Sequence, residues 1–290
     1  MIDLHIHTTA SDGEFSPTEI VNKAINIGLT HIAITDHDTV NGLNEAISYG
    51  KDKDIKIIPG VELNAKVDLG QMHILGYYID YTNRDFLDMM KVFENDRNER
   101  NELFIKQFKE IGIDITMEDV KKYAIGSVVG KPHFARVLME KGYIDDVQEG
   151  FDKYFNVEPL KNIKRRSFEP EKIIKLIKKA GGIAVLAHPQ SLKLDENSLR
   201  KKILELKSYG LDGLECYHSK QTYDEMKLFK KIAEDNNLLI TLGSDYHRDV
   251  AISNIEIGHG KNDNLINSNP NIDNIISNLE NAHKIQLQNA

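Results

Sequence analysis

Apolar and polar residues alternate from the first positions of the chain. Ile2, Leu4 and Ile6 interleave with Asp3, His5 and His7. This is the two-residue period of a strand, and it places His5 and His7 on one face about 7 Å apart along the backbone. Ser16-Pro17-Thr18-Glu19 then forms a capping box with proline at the first helical position, and Ile20, Ala24 and Ile27 line one face up to Gly28. His31–Asp36 reads as a short buried strand, about 40–49 as a helix, Ile55–Leu63 as a strand and Met72–Tyr78 as an extended segment. Between about 84 and 163 the pattern turns helical and charge-rich, with shorter helical stretches near 117–124, 132–141 and 146–155. Alternation resumes at Pro170. Helices over 171–180, 196–208 and 222–235 separate strands at Ile183–Ala187, Asp212–His218 and Leu238–Gly243. The Asn-rich tail from His259 reads as loop, with a last helix near 273–283.

At least six strand candidates, each followed by a helix, predict a mainly parallel sheet and a closed or nearly closed α/β barrel. Residues 84–163 break that rhythm and read as an inserted helical subdomain. It is either a stabilising decoration or a lid over the site. The barrel is then discontinuous, over 1–83 and 164–290.

Composition narrows the classes. The 290 residues are 40% hydrophobic and 28% charged, which suits an ordinary globular chain. A net charge of 37 − 45 = −8 argues against a broad nucleic-acid footprint, though not against a nucleotide or a short single strand held by metals and a few local cations. The single cysteine, Cys216, permits no internal disulfide and suits a reducing compartment. No basic region precedes the first strand and no apolar run approaches the roughly 20 residues of a bilayer span. The expected location is cytoplasmic, with no membrane association.

The strand candidates share a polar ending. His5 and His7 end the first, with Asp12 in the following loop; Asp36-His37 ends the second. Glu62 follows Pro-Gly-Val, His73 lies in the next extended segment, His188 follows a later strand, and Asp245 and His247 follow the last. In a βα barrel the carboxyl ends of the strands converge on one rim, so these scattered residues are expected to meet. Imidazole with carboxylate suits Zn, Mn or Fe, and so many ligands exceed the need of one ion. Clustered cations serve phosphoester hydrolysis by making hydroxide from bound water and neutralising phosphoryl charge.

His5-Ile-His7, Thr35-Asp-His-Asp38, Gly60-Val-Glu62, His73, Ala187-His-Pro189 and Ser244-Asp-Tyr-His247 resemble, in this order, the motifs of the PHP (polymerase and histidinol phosphatase) family of metal-dependent phosphoesterases. The resemblance implies a distorted (β/α)7, TIM-like barrel with three divalent metal ions. One ion would be held by His5, His7, Glu62 and Asp245, a second by Glu62, His73 and His188, and the third by Asp12, His37 and His247. The Ser11-Asp-Gly13 turn, the helical insertion and Lys131-Pro-His-Phe-Ala-Arg136 resemble a narrower group: phosphatases of nucleoside 3′,5′-bisphosphates and 5′-to-3′ exoribonucleases. There, basic residues of the insertion grip a second phosphate, which implies Arg97 and Lys131 here, with His133 and Arg136 nearby. Lys131 departs from the arginine of that group and offers a point charge where arginine offers a fork.

Other polar residues are open to two roles. His218 is a substrate contact or proton donor to the leaving oxygen; Asp36 or Asp38 could orient an imidazole; His31 and Cys216 are ascribed to the core. Arg165-Arg166 read as a solvated charge pair, favoured over an edge of the phosphate site, and the Asp96–Arg100 run reads mostly as a solvated helix face, Arg97 excepted. The expected activity is hydrolysis of the 5′-phosphate of a nucleotide or short single-stranded RNA by a metal-bound hydroxide, with no obligate protein partner. The alternatives are a phosphatase of another small monoester, such as histidinol phosphate, or a non-catalytic metal-binding domain.

Overall fold

The computed structural model describes residues 1–124, 126, 128–248 and 253–288. Seven strands form one sheet in sequence order: β1 (Ile2–Ile6), β2 (His31–Ile34), β3 (Lys56–Ala65), β4 (Met72–Tyr77), β5 (Ile183–Leu186), β6 (Gly213–His218) and β7 (Leu239–Gly243). The sheet curls until the chain beyond β7 meets β1. Asp245 N–H donates to the His5 carbonyl and His7 N–H to the Tyr246 carbonyl, each at 2.9 Å. The buried Asp3 carboxylate adds a staple, accepting Ser244 N–H at 2.9 Å and Gly258 N–H at 2.7 Å. The expected nearly closed barrel is the observed architecture.

One expectation fails in detail. β3 is followed by β4, not by a helix, and β4 runs antiparallel to both β3 and β5. The six residues 66–71 between them are too few for a parallel crossover, which takes a dozen or more. The reversal matters for the site. His73 is the second residue of β4, so it starts a strand on the rim where the others end, opposite Asn64 and beside Glu62.

The helices packed outside the barrel follow their sequence signals. α1 (Pro17–Ile27) has the Ser16–Glu19 capping box and ends at Gly28 in the left-handed conformation. α2 (Leu43–Gly50) precedes β3. α3 (Arg84–Glu110) is a single helix of 27 residues, about 40 Å long at 1.5 Å per residue. Its first turns pack Phe86, Met90 and Phe93 into the barrel's apolar cluster. Its last turns pack Phe104 and Phe108 into a second cluster, built with α4 (Met117–Lys121), α5 (Lys131–Glu140), α6 (Val147–Gly150) and a following π turn. In that cluster the Phe104, Phe134 and Phe155 rings meet edge to face at 5.5–6.3 Å. Over 96–100, α3 keeps Asn98 and Glu99 in solvent, but Arg100 is buried along with Arg97 and does not belong to that solvated face.

After α7 (Pro170–Lys179), α8 (Glu196–Ser208) and α9 (Tyr223–Asp235) the tail is more ordered than a loop. It forms a two-stranded ribbon, β8 (Ile255–Glu256) with β9 (Gly260–Lys261), then α10 (Asn264–Asn267) and α11 (Ile272–Gln288). The buried Asn264 amide donates to the carbonyls of His218, Ser219 and Gln221, pinning the turn after β6. Among the described residues no helix is long and apolar enough to cross a membrane.

Candidate metal centre

The rim gathers the nine metal-competent residues singled out in the sequence. Glu62 is fully buried and central. Its Oε1 lies 2.8 Å from His73 Nδ1 and 2.9 Å from His188 Nε2; its Oε2 lies 2.8 Å from His37 Nδ1, 3.3 Å from His7 Nε2 and 3.4 Å from His5 Nε2. Asp245 Oδ1 lies 3.3 Å from His7 Nε2, 3.7 Å from His5 Nε2 and 3.4 Å from His247 Nδ1. Asp12 Oδ1 lies 3.4 Å from His247 Nε2. Donor atoms close enough to share one ion form the groups His7–Asp12–His37–His247, His5–His7–Asp245 and His37–Glu62–His73. The strand alternation of β1 is what brings the first two imidazoles together, with ring centroids 5.2 Å apart.

The donor set fits divalent cations. His5 Nε2, both ring nitrogens of His7, Asp12 Oδ1 and Glu62 Oε2 are buried without a hydrogen-bond partner. Buried polar atoms are costly to leave unpaired, and here they converge. Their charges are coupled. Burial opposes ionisation of Glu62, but His37, His73 and His5 more than offset this and hold it well below the usual carboxylate range. Burial likewise opposes charging of His7, yet Asp245 and Glu62 raise it to about 10. A cation would take the place of those protons, because a ligating imidazole must be neutral.

Around this centre two aspartates have structural partners. Asp36 accepts from Thr8 N–H and Thr8 Oγ1, both at 2.7 Å, and from Ser11 Oγ, tying down the loop that carries Asp12. Asp38 pairs with Arg97 and Arg165 and accepts Asn64 N–H at 3.1 Å. Neither is hydrogen-bonded to an imidazole among the described residues, so the orienting role expected for one of them is not what they do. A carboxylate that sequence reasoning missed contacts a ligand instead: Glu215 on β6, fully buried, 2.9 Å from His5 Nδ1. A single acidic residue in the otherwise apolar Gly-Leu-Glu-Cys-Tyr segment was the available signal.

The basic residues split. Arg97, Arg100 and Arg165 collect between α3 and the barrel with Lys131 at the start of α5. Arg97 and Arg165 both grip Asp38. Arg100 donates to Asn101 Oδ1 and the Val129 carbonyl. Lys131 Nζ lies 5.6 and 5.9 Å from the Phe155 and Phe104 ring centroids, and burial, then Arg100 and Arg165, lower it to about 8. Of the two roles open to this pair, Arg165 leaves the solvated one by pairing with Asp38, while Arg166 remains exposed. His133 is buried and its Nδ1 accepts Gly130 N–H at 3.0 Å, capping α5; burial lowers it to about 4. Arg136 lies apart from the cluster, 3.4 Å from Glu14.

His218 is buried at the rim. Its Nδ1 accepts Lys220 N–H at 3.1 Å, which places the ring proton on Nε2, 3.5 Å from Asp245 Oδ2. Lys220, also unforeseen, sets its ammonium 2.8 Å from the same oxygen. His31 bonds Thr30 at the far end of β2, and Cys216 is buried in the core.

Residues 3–242 match the PHP domain family. The chain is 32% identical over 245 residues to a 5′-3′ exoribonuclease of Haemophilus influenzae, covering 84% of this chain and 89% of that protein. It is 28% identical over 247 residues to a 3′,5′-nucleoside bisphosphate phosphatase of Chromobacterium violaceum, covering 85% and 87%. The solved structure of an amidohydrolase from the same organism superposes with a TM-score of 0.82 at 28% identity, covering 89% of this chain and 90% of that one.

Proposed function

The chain belongs to the PHP domain family of metal-dependent phosphoesterases, and from that premise we propose that it hydrolyses the 5′-phosphate of nucleoside 3′,5′-bisphosphates or of short oligoribonucleotides from their 5′ end. The observation that carries this reading is the juxtaposition of two unlike sites. One is a buried imidazole–carboxylate cluster with unpartnered donor atoms. The other is a group of four cations, the buried Arg97 and Arg100 and the half-buried Lys131 and Arg165, paired directly with the carboxylate of Asp38 and more distantly with that of Asp12. Uncompensated buried positive charge is costly, and an anion relieves it. A substrate with two phosphates answers both.

Three divalent ions, of Mn, Fe or Zn, are the cofactors of this proposal. His5, His7, Glu62 and Asp245 would hold one; Glu62, His73 and His188 the second; Asp12, His37 and His247 the third. When bound, such ions lower the pKa of water and neutralise phosphoryl charge. The chain's own residues do the rest. Arg97, Arg165 and Lys131 hold the neighbouring 3′-phosphate, with Asp38 keeping the two guanidiniums in place before substrate arrives. His133 acts through the α5 N-terminus it caps, and Arg136 stays at the periphery. His218 presents its Nε2 proton toward the rim, available to the departing 5′-oxygen. The segment 84–163 supplies part of the second-phosphate site and so acts as a substrate-binding cap. The acidic net charge favours a short substrate, and a cytoplasmic location suits it.

The test is phosphate release, with Mn supplied, from nucleoside 5′-monophosphates and 3′,5′-bisphosphates by the wild type and by Arg97→Ala/Lys131→Ala. The double variant is expected to lose its preference for the bisphosphate. An equal fall on both substrates would remove the second-phosphate site from the reading.

A further inference from the structure

We infer that Glu215 is a positioning residue that presents both His5 and His188 to the metal centre; the inference rests on the metal-dependent reading above. Its two carboxylate oxygens go to two strands. Oε1 lies 2.9 Å from His5 Nδ1 on β1, and Oε2 accepts the backbone N–H of His188, just past β5, at 2.7 Å. A carboxylate can only accept here, so Nδ1 carries a proton and Nε2 is the nitrogen left to offer its lone pair to a cation. That Nε2 is buried, without a hydrogen-bond partner, 3.4 Å from Glu62 Oε2 and 3.7 Å from Asp245 Oδ1. It points at the place where those two carboxylates converge.

The second contact addresses a different problem. His188 has φ 26°, ψ 68°, in the left-handed region that non-glycine residues rarely adopt. A short bond from its N–H to a buried carboxylate helps hold that conformation, from which its Nε2 reaches Glu62 at 2.9 Å. The surroundings are fitted to Glu215. A Cβ on Gly243 of the adjoining β7 would lie 2.7 Å from Glu215 Oε1 and 2.2 Å from His5 Cβ, so only glycine leaves room for the pair. The β6–β7 register shifts between Glu215 and Tyr217. That irregularity lets Glu215 and His218, three residues apart and on opposite faces of a regular strand, both turn toward His5.

Glu215→Gln keeps the shape but sets an amide NH2 against either the His188 N–H or His5 Nδ1, reversing one of the two contacts. Metal affinity, measured by chelator competition with Zn and with Mn, is expected to fall 10–100-fold in the variant. Wild-type affinity in a folded Glu215→Gln protein would overturn this inference alone, whereas a wild type that binds neither metal would overturn the metal-centre reading with it. A second measurement needs no variant. In zinc-loaded wild type carrying 15N-histidine, the NMR spectrum is expected to show His5 protonated at Nδ1 and metal-bound through Nε2. The opposite tautomer would overturn the assignment even if the variant failed to fold.

Discussion

At the scale of single residues, buried charge decides behaviour more than sequence position does. Lys131 is held at about 8 by burial and by Arg100 and Arg165, well below the roughly 10.4 of a free lysine. Its charge is therefore lost as pH rises through about 8, and with it part of the second-phosphate site. The KM for a 3′,5′-bisphosphate is expected to climb over that range while the KM for a 5′-monophosphate does not, and Lys131→Arg is expected to flatten the profile, since arginine stays charged. Linkage runs in the other direction for folding. Between about 8 and 10.4 the unfolded chain binds the extra proton, so this residue makes the protein more stable as pH rises through that window. Asp12 makes a separate test. Its carboxylate groups with His37, His247 and His7 and is not in the donor group of His5 and Asp245, so Asp12→Ala is expected to lower activity and remove about one metal equivalent by elemental analysis; loss of all metal would show that the ions are not separable in this way.

At the scale of elements, α3 and the β3–β4 hairpin do what their lengths require. α3 ties the barrel to the second apolar cluster because one helix is long enough to enter both. Phe104→Ala, which empties the centre of the second cluster, is expected to cost about 3–5 kcal/mol in denaturant unfolding, with metal binding at the rim retained. Gly243→Ala acts at the opposite end of the size scale. Its added methyl has no room against His5, so the expected outcome is weakened metal binding out of proportion to one carbon atom. Both elements were only partly legible in sequence. The periodicity of 84–110 announced a helix but could not say that Arg100 would be covered, since its partners come from residues near 129. The reversal of β4 was written in the six-residue connection, although hydrophobic pattern alone does not carry direction.

At the scale of the whole molecule, the metal centre is a joint between strands from both ends of the chain, and cations should therefore couple to global stability. Removing them with a chelator is expected to lower Tm, and saturating metal at 100 times its Kd would restore about 2.7 kcal/mol per site. Because Asp245 and Glu62 outweigh the opposing effect of burial and leave His7 protonated up to about 10 in the metal-free protein, metal uptake at neutral pH is expected to release protons. Calorimetry in buffers of different ionisation enthalpy measures that release, and its absence would show the imidazoles to be neutral beforehand. The amino-acid order by itself determined the α/β alternation, the capped helices and the metal-competent residue at nearly every strand end, because strand period and capping are local and the rim of a barrel follows from them. It also carried the family, through short motifs spaced over the chain. Only the tertiary structure decided which carboxylates serve the imidazoles and which cations lose water. Asp36 and Asp38 adjoin a histidine in sequence yet bind a loop and two arginines, while Glu215, 210 residues from His5, lies against its ring. Hydrogen-bond partnership and burial depend on which strands become neighbours and where a bulge turns a side chain, and neither is encoded in the local pattern.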